Sequence, residues 1–239
     1  MMKIVTALLS TALGVGLVFA NASVFAAGLP TGVVTATAPT PSAATENFYA
    51  SVFGGAAFGS TLDGHLTLYS IQVGMPLNTG YLIGGSIGLQ VSPNLRGELE
   101  LSYSSRPVAG TLDISGDGND PHAEVDSGSF GALYVLGNLW YDFNTAGSLT
   151  PYLGGGLGVA TLFPDISAGQ DGTNFVDPSV ALAGQLGGGI RSRVSESLSL
   201  DIGYRAKGVV NGSLASPNLT LAELQYIDHT VQLGLDFAF

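Results

Sequence analysis

Read back from its C-terminus, the chain alternates. In residues 226–239, YIDHTVQLGLDFAF, the positions Ile227, Val231, Leu233, Leu235, Phe237 and Phe239 are apolar, and His229 is the one departure. The intervening positions Tyr226, Asp228, Thr230, Gln232, Gly234, Asp236 and Ala238 are small or polar. Period two marks a strand with one face in an apolar medium and the other in a polar one. The pattern recurs. In 95–106, Leu99, Leu101 and Tyr103 oppose Arg96, Glu98, Glu100, Ser102, Ser104 and Arg106. In 198–207, Leu198, Leu200, Ile202 and Tyr204 oppose Ser199, Asp201, Gly203, Arg205 and Lys207. The same reading places strands at 81–91, 130–143, 150–161 and 181–194, the last with Leu182, Leu186 and Ile190 against Gln185, Arg191 and Arg193. Span 48–58 is apolar in both phases, so its facing stays open. Most of these eight spans reach the ~9–11 tilted residues that cross a bilayer.

The connections alternate in length. Residues 92–94, 144–148 and 195–196 are tight and rich in Pro, Asn, Gly and Ser, which favour turns. Long segments lie between them, at 59–80, 107–127, 162–180 and 208–225. Short turns at one end and long loops at the other predict an all-β fold, a transmembrane up-and-down antiparallel β-barrel of eight strands, with periplasmic turns and extracellular loops. An even strand count puts both ends of the barrel on the periplasmic side.

Composition separates this barrel from a soluble β-sandwich. Charged residues are 10% of the chain, against roughly 25% in soluble domains. Beyond the first residues there is no run of 18 apolar residues to make a spanning helix. The absence of cysteine removes disulfide frameworks and thiolate metal sites. A net charge of −11 argues against nucleic acid, whose phosphates need clustered Lys and Arg. Residues 1–26 read as an export signal: Lys3, an apolar stretch 4–19, then small residues at Ala20-Asn21-Ala22 or Val24-Phe25-Ala26 for cleavage. Residues 27–45, rich in Ala, Thr and Pro, read as a flexible lead-in on the periplasmic side. Residues 46–239 hold the barrel.

Charge placement changes the picture further. After the signal the basic residues are Arg96, Arg106, Arg191, Arg193, Arg205 and Lys207, all on expected inward positions. A lipid-facing Arg or Lys costs about 2–4 kcal/mol at mid-bilayer, so a barrel requires this placement. Inward acids are Glu98, Glu100, Asp142, Asp201, Asp228 and Asp236, which predicts a balanced charge network in the lumen. Ten further acids and no Lys or Arg lie in the four long segments. Aromatic residues gather at strand ends: Tyr81, Tyr103 and Tyr204 towards the long loops, and Tyr141, Phe143, Phe237 and Phe239 towards the turns. Two such belts suit two membrane interfaces.

The runs LWYDF with PYLGGGLGVA (residues 139–143 and 151–160), LGGGIRSRVSESLSLDIGYR (186–205) and HTVQLGLDFAF (229–239) resemble the small eight-stranded outer-membrane barrels, the OmpA- and OmpX-like and opacity-protein-like surface proteins, over residues 46–239. The resemblance implies a bacterial outer-membrane location and contact with its lipid. It implies the outer-membrane assembly machinery as a partner, with Phe239 as part of the signal that machinery reads. Relatives act as adhesins, surface antigens, envelope stabilisers or narrow pores.

Other chemistry is thinner. In DISGDGNDPHAE (113–124), Asp113, Ser115, Asp117 and Glu124 fall at positions 1, 3, 5 and 12 of a calcium-loop pattern with Gly118 at position 6. Asp120, Pro121 and the flanking strands depart from that pattern, and a solvated acidic loop is the plainer reading. The glycine runs 154–156 and 187–189 lack a nucleotide-binding spacing and suit barrel curvature and crowding inside the barrel. His65, His122 and His229 are the histidines; a lipid hydrolase would need one beside a serine and an acid, and no His-x-Ser pair occurs. The expectation is a non-enzymatic, monomeric surface barrel with no catalytic residues and no bound cofactor, meeting an unidentified extracellular partner through acidic loops. A narrow pore and a lipid hydrolase are the alternatives.

Overall fold

In the computed structural model, residues 48–66, 71–115, 122–143, 148–168, 173–175, 177–216 and 219–239 are described. The expected signal 1–26 and lead-in 27–45 lie outside them. Eleven strands follow in order: β1 (Phe48–Phe58), β2 (Ser60–Leu66), β3 (Ile71–Leu77), β4 (Gly80–Ser92), β5 (Leu95–Ser115), β6 (His122–Asp142), β7 (Leu149–Ala168), β8 (Thr173–Phe175), β9 (Ser179–Arg193), β10 (Leu198–Ser216) and β11 (Leu219–Ala238). Eight of them, β1, β4, β5, β6, β7, β9, β10 and β11, pair antiparallel in a ring. The ring closes where β1 meets β11, from Tyr49 opposite Ala238 to Phe58 opposite His229. The Phe239 amide donates to the Phe48 carbonyl at 3.0 Å and extends that seam by one bond. Closure removes the edges of the eight-stranded ring, which is what lets a sheet stand in lipid.

The alternation resolves into two faces. Ile83, Ile87, Leu99, Leu101, Leu139, Leu153, Leu157, Leu182, Ile202 and Leu233 are all exposed on the outside. A continuous apolar outer wall needs a hydrocarbon solvent. The opposite phase points inward and is buried. On β1, where the sequence left the facing open, Tyr49 and Ser51 are inward and Val52 is outward.

Inward glycines make room for inward rings. A Cβ at Gly84 would lie 2.7 Å from the Phe53 ring, and one at Gly154 would lie 2.6 Å from Trp140 Cε3. Cβ atoms at Gly189 and Gly203 would lie 2.6 and 2.7 Å from Tyr152 Oη. The glycine runs therefore act through sterics: a narrow eight-stranded lumen accepts a large ring only opposite a residue with no side chain.

The expected long loops are largely strand. Segments 107–115 and 122–127 continue β5 and β6; 162–168 and 208–216 continue β7 and β10. Segment 59–80 is a β2–β3 hairpin inserted in the wall between β11 and β5. Gly59, at φ 68°, turns the chain from β1 into β2, a backbone state that suits glycine. Asn211 and Glu223 also take positive φ, 59° and 54°, where the β10–β11 register slips around Gly212 opposite Leu224. Such bulges bend a strand. The wall thus stands taller than the lipid-facing spans alone.

Candidate functional site

The lumen holds the buried charged side chains, and strand pairing fixes their order. Up β5 from the short-turn end, the inward side chains are Arg96, Glu98, Glu100, Ser102, Ser104, Arg106 and Val108. The lower part is a web of buried charge. Arg96 donates through Nε and Nη2 to Asp142 (2.7 and 2.9 Å) and through Nη1 to Glu98 (3.0 Å). Glu98 also accepts from Tyr49 Oη at 2.5 Å and from Trp140 Nε1 at 2.9 Å. Arg191 pairs with Asp236 (2.7 Å), whose other oxygen accepts from Ser51 Oγ (2.5 Å). Arg205 donates to Tyr152 Oη at 2.8 Å, and that hydroxyl donates to Asp201 at 2.8 Å.

The guanidinium groups and rings alternate in one stack. Arg191 lies 5.1 Å from the Tyr49 ring, and Arg96 lies 5.7 Å from Tyr49 and 5.2 Å from Tyr152. Arg205 lies 5.2 Å from Tyr152 and 4.3 Å from Trp140. Cation–π attraction of this kind strengthens when water is excluded. Higher up, Lys207 pairs with Glu100, which also accepts from Ser102, Asn138 (3.0 Å) and Gln185 (2.5 Å). Arg106 pairs with Asp228.

Around the upper ion pairs and beyond them the lumen turns apolar. Leu62, Met75 and Leu77 from the hairpin, Val108, Phe130, Leu136, Leu162, Val209 and Leu224 form one buried cluster. Tyr134 and Tyr226, bonded hydroxyl to hydroxyl at 2.6 Å, belong to the same cluster. An apolar cap inside a barrel was not expected, because inward positions were read as polar. Its signal is in the sequence: residues 130–136, FGALYVL, are apolar in both phases above Asn138, as in a strand buried on both faces.

The structure brings together Arg96, Glu98, Glu100, Arg106, Asp142, Arg191, Asp201, Arg205, Lys207, Asp228 and Asp236. Arg193 is a correction. It was expected inside, but it is the last residue of β9 and is exposed. At a strand end the lumen opens to water, so the alternation no longer separates lipid from interior.

Half of the calcium pattern, residues 116–121, lies outside the described residues. Asp113 and Ser115 lie on β5 and Glu124 on β6, with Asp113 opposite His122 and Thr111 opposite Glu124. Asp117 lies outside the described residues, as do the side chains of the other three. Among the described residues no group of three His, Asp or Glu side chains is placed to hold a metal.

His229 stands on the outer wall. It shares a 2.6 Å hydrogen bond with Tyr204 Oη and stacks between Tyr204 and Phe58, with ring centroids 6.0 and 6.3 Å away.

Solved structures share this architecture. OprG, an outer membrane protein of Pseudomonas aeruginosa, superposes with a TM-score of 0.51 at 15% identity, covering 80% of this chain and 96% of that one. The outer membrane protease OmpT of Escherichia coli gives 0.50 at 10% identity, covering 81% and 97%. Neisserial surface protein A gives 0.47 at 16% identity, covering 80% and 97%. At such identities the likeness is one of fold. No curated protein matches the chain in sequence. The model of the outer membrane protein beta-barrel domain matches residues 12–239, nearly the whole chain, with strands that close in a ring of eight and face lipid; the chain therefore belongs to that family, and its place is the bacterial outer membrane.

Proposed function

We propose that the chain is a closed, non-enzymatic surface barrel, a scaffold that holds acidic extracellular ends above the outer membrane for contact with a partner. The observation that carries this reading is the filled lumen: ion pairs and stacked rings occupy its lower part, and apolar side chains cap it. A pore needs a continuous polar path, and an eight-stranded ring has width only for side chains. An apolar constriction also excludes water and ions by dewetting. The partner-facing end takes its character from charge. Segments 59–80, 107–127, 162–180 and 208–225 carry ten acids and no Lys or Arg. A field of one sign steers a cationic partner and weakens with salt.

The test uses purified barrel in zwitterionic nanodiscs against polylysine-coated beads. The barrel binds, the binding falls as salt rises, and a variant with the five acids of 107–127 changed to their amides binds less. Equal binding by parent and variant would remove the acidic ends from the account.

A further inference from the structure

The lumen carries an unbalanced charge. Its acids are Glu98, Glu100, Asp142, Asp201, Asp228 and Asp236; its bases are Arg96, Arg106, Arg191, Arg205 and Lys207. Six minus five leaves one negative charge among the buried and half-buried groups, because Arg193 is exposed to water at the end of β9. An uncompensated charge away from water is costly, so something neutralises it.

The place is marked by a partly open cavity of about 30 Å3 in the lower lumen, lined in part by Ser51, Arg191, Asp201, Arg205, Gln232 and Asp236. The pairing explains the space. On β10 and β11, Asp201 faces Gly234, and Gly234 lines the cavity, so the wall carries no side chain between Gln232 and Asp236; the space over Gly203 is taken by Tyr152 and Arg205. Asp201 sits diagonally from both of the others across the β10–β11 pair. Gln232 is 4% exposed, and its Oε1 has no hydrogen-bond partner among the described residues. Asp201 accepts from a neutral phenol, Tyr152 Oη, and forms no direct ion pair among the described residues. An orphaned buried oxygen, a carboxylate without a direct cation and a deficit of one charge thus meet at one cavity.

We propose that this chamber binds one monovalent alkali cation, sodium or potassium, held by oxygens of Asp201, Gln232 and Asp236. A divalent ion does not suit the site: the deficit is one charge, Arg191 and Arg205 stand beside it, and a hard divalent cation wants six or more oxygens or its own water shell. Arg205 Nε also lacks an acceptor and lines the same chamber. A water fits there, since about 10–15 Å3 holds one and the chamber has room for both occupants.

The experiment unfolds the full-length barrel with urea in zwitterionic bilayers, at one ionic strength, in sodium, potassium or choline chloride. The midpoint rises when sodium or potassium replaces choline. Above the dissociation constant, each tenfold rise in cation multiplies the folding constant about tenfold. Asp201→Asn removes the excess charge and abolishes that dependence. In case the variant fails to fold, thallium(I) serves as a probe of the unmodified barrel: its NMR signal shows a bound ion that sodium displaces. Equal midpoints in all three salts, with no bound thallium, overturn the proposal. So does a midpoint blind to the cation that falls as pH rises, because a proton then carries the missing charge.

Discussion

Arg106 on β5 and Asp228 on β11 form an ion pair shut off from water, although 122 residues separate them. The same guanidinium donates to the carbonyls of Leu77 (2.8 Å) and Asn78 (2.5 Å) as the chain leaves β3. The position matters because the wall changes there. β1 pairs with β11 up to Phe58 opposite His229, and β2 takes over from Asp63 opposite Gln225. One side chain thus fastens β5, β11 and the hairpin where the ring passes from one pairing to the next.

Arg106→Met should therefore be costly. It strands a buried carboxylate and frees the hairpin's exit, and breaking a buried pair costs about 3–5 kcal/mol. Adding Asp228→Asn to that variant should restore part of the loss. Urea unfolding in lipid vesicles measures both. A loss below about 1 kcal/mol, within the range of an exposed pair, would show that water reaches this level.

The glycine and ring partners give a contrast between faces. Gly84→Ala should push Phe53 from its place and cost about 1–3 kcal/mol as an overpacking change. Gly137→Ala on the outer wall, with its nearest atom 3.9 Å away, should be close to neutral. Equal effects on unfolding would mean that the inward glycines do not seat the rings.

Trp140, the sole tryptophan, reports on facing directly. It is 1% exposed, under Arg205 and bonded to Glu98. Brominated lipids should leave its fluorescence nearly unchanged, whereas a tryptophan moved to Leu139, in a Trp140→Phe background, should be quenched. Strong quenching of Trp140 would reverse the facing of β6.

Phe239 separates assembly from stability. Its ring is 79% exposed and its backbone adds one bond to the seam. Deleting it should lower the amount that reaches the outer membrane while shifting the unfolding midpoint of folded barrel little. Equal membrane levels for both chains would count against its role as an assembly signal.

The sequence showed the outer wall well because lipid enforces strict alternation. Leu99, Leu101, Leu233 and Leu235 have no option but to be apolar, and Arg96, Glu98 and Glu100 none but to turn inward. Where lipid stops, that constraint stops. Residues 107–115 (PVAGTLDIS) and 208–216 (GVVNGSLAS) lack the strict alternation of the lower strands, so their strands read as loops although backbone pairing continues. The cap was obscured for the opposite reason. Phe130, Tyr134 and Leu136 are apolar inside while Leu133 and Val135 are apolar outside, and period two vanishes. Arg193 shows the limit at the other end, where both faces of the last residue of β9 meet water. Which acid pairs with which base was not legible at all, because the partners come from strands far apart in the chain.

Single-channel recording in planar bilayers tests the closed lumen most directly. The parent barrel should show no steady conductance. Arg191→Ala alone should leave it closed, because the apolar cap stands above the charge web. Only the combination of Arg191→Ala with Leu136→Ala, Leu162→Ala and Leu224→Ala should give measurable steps. A large, steady open channel in the unmodified protein would contradict the account, since the buried charges would then line a pore.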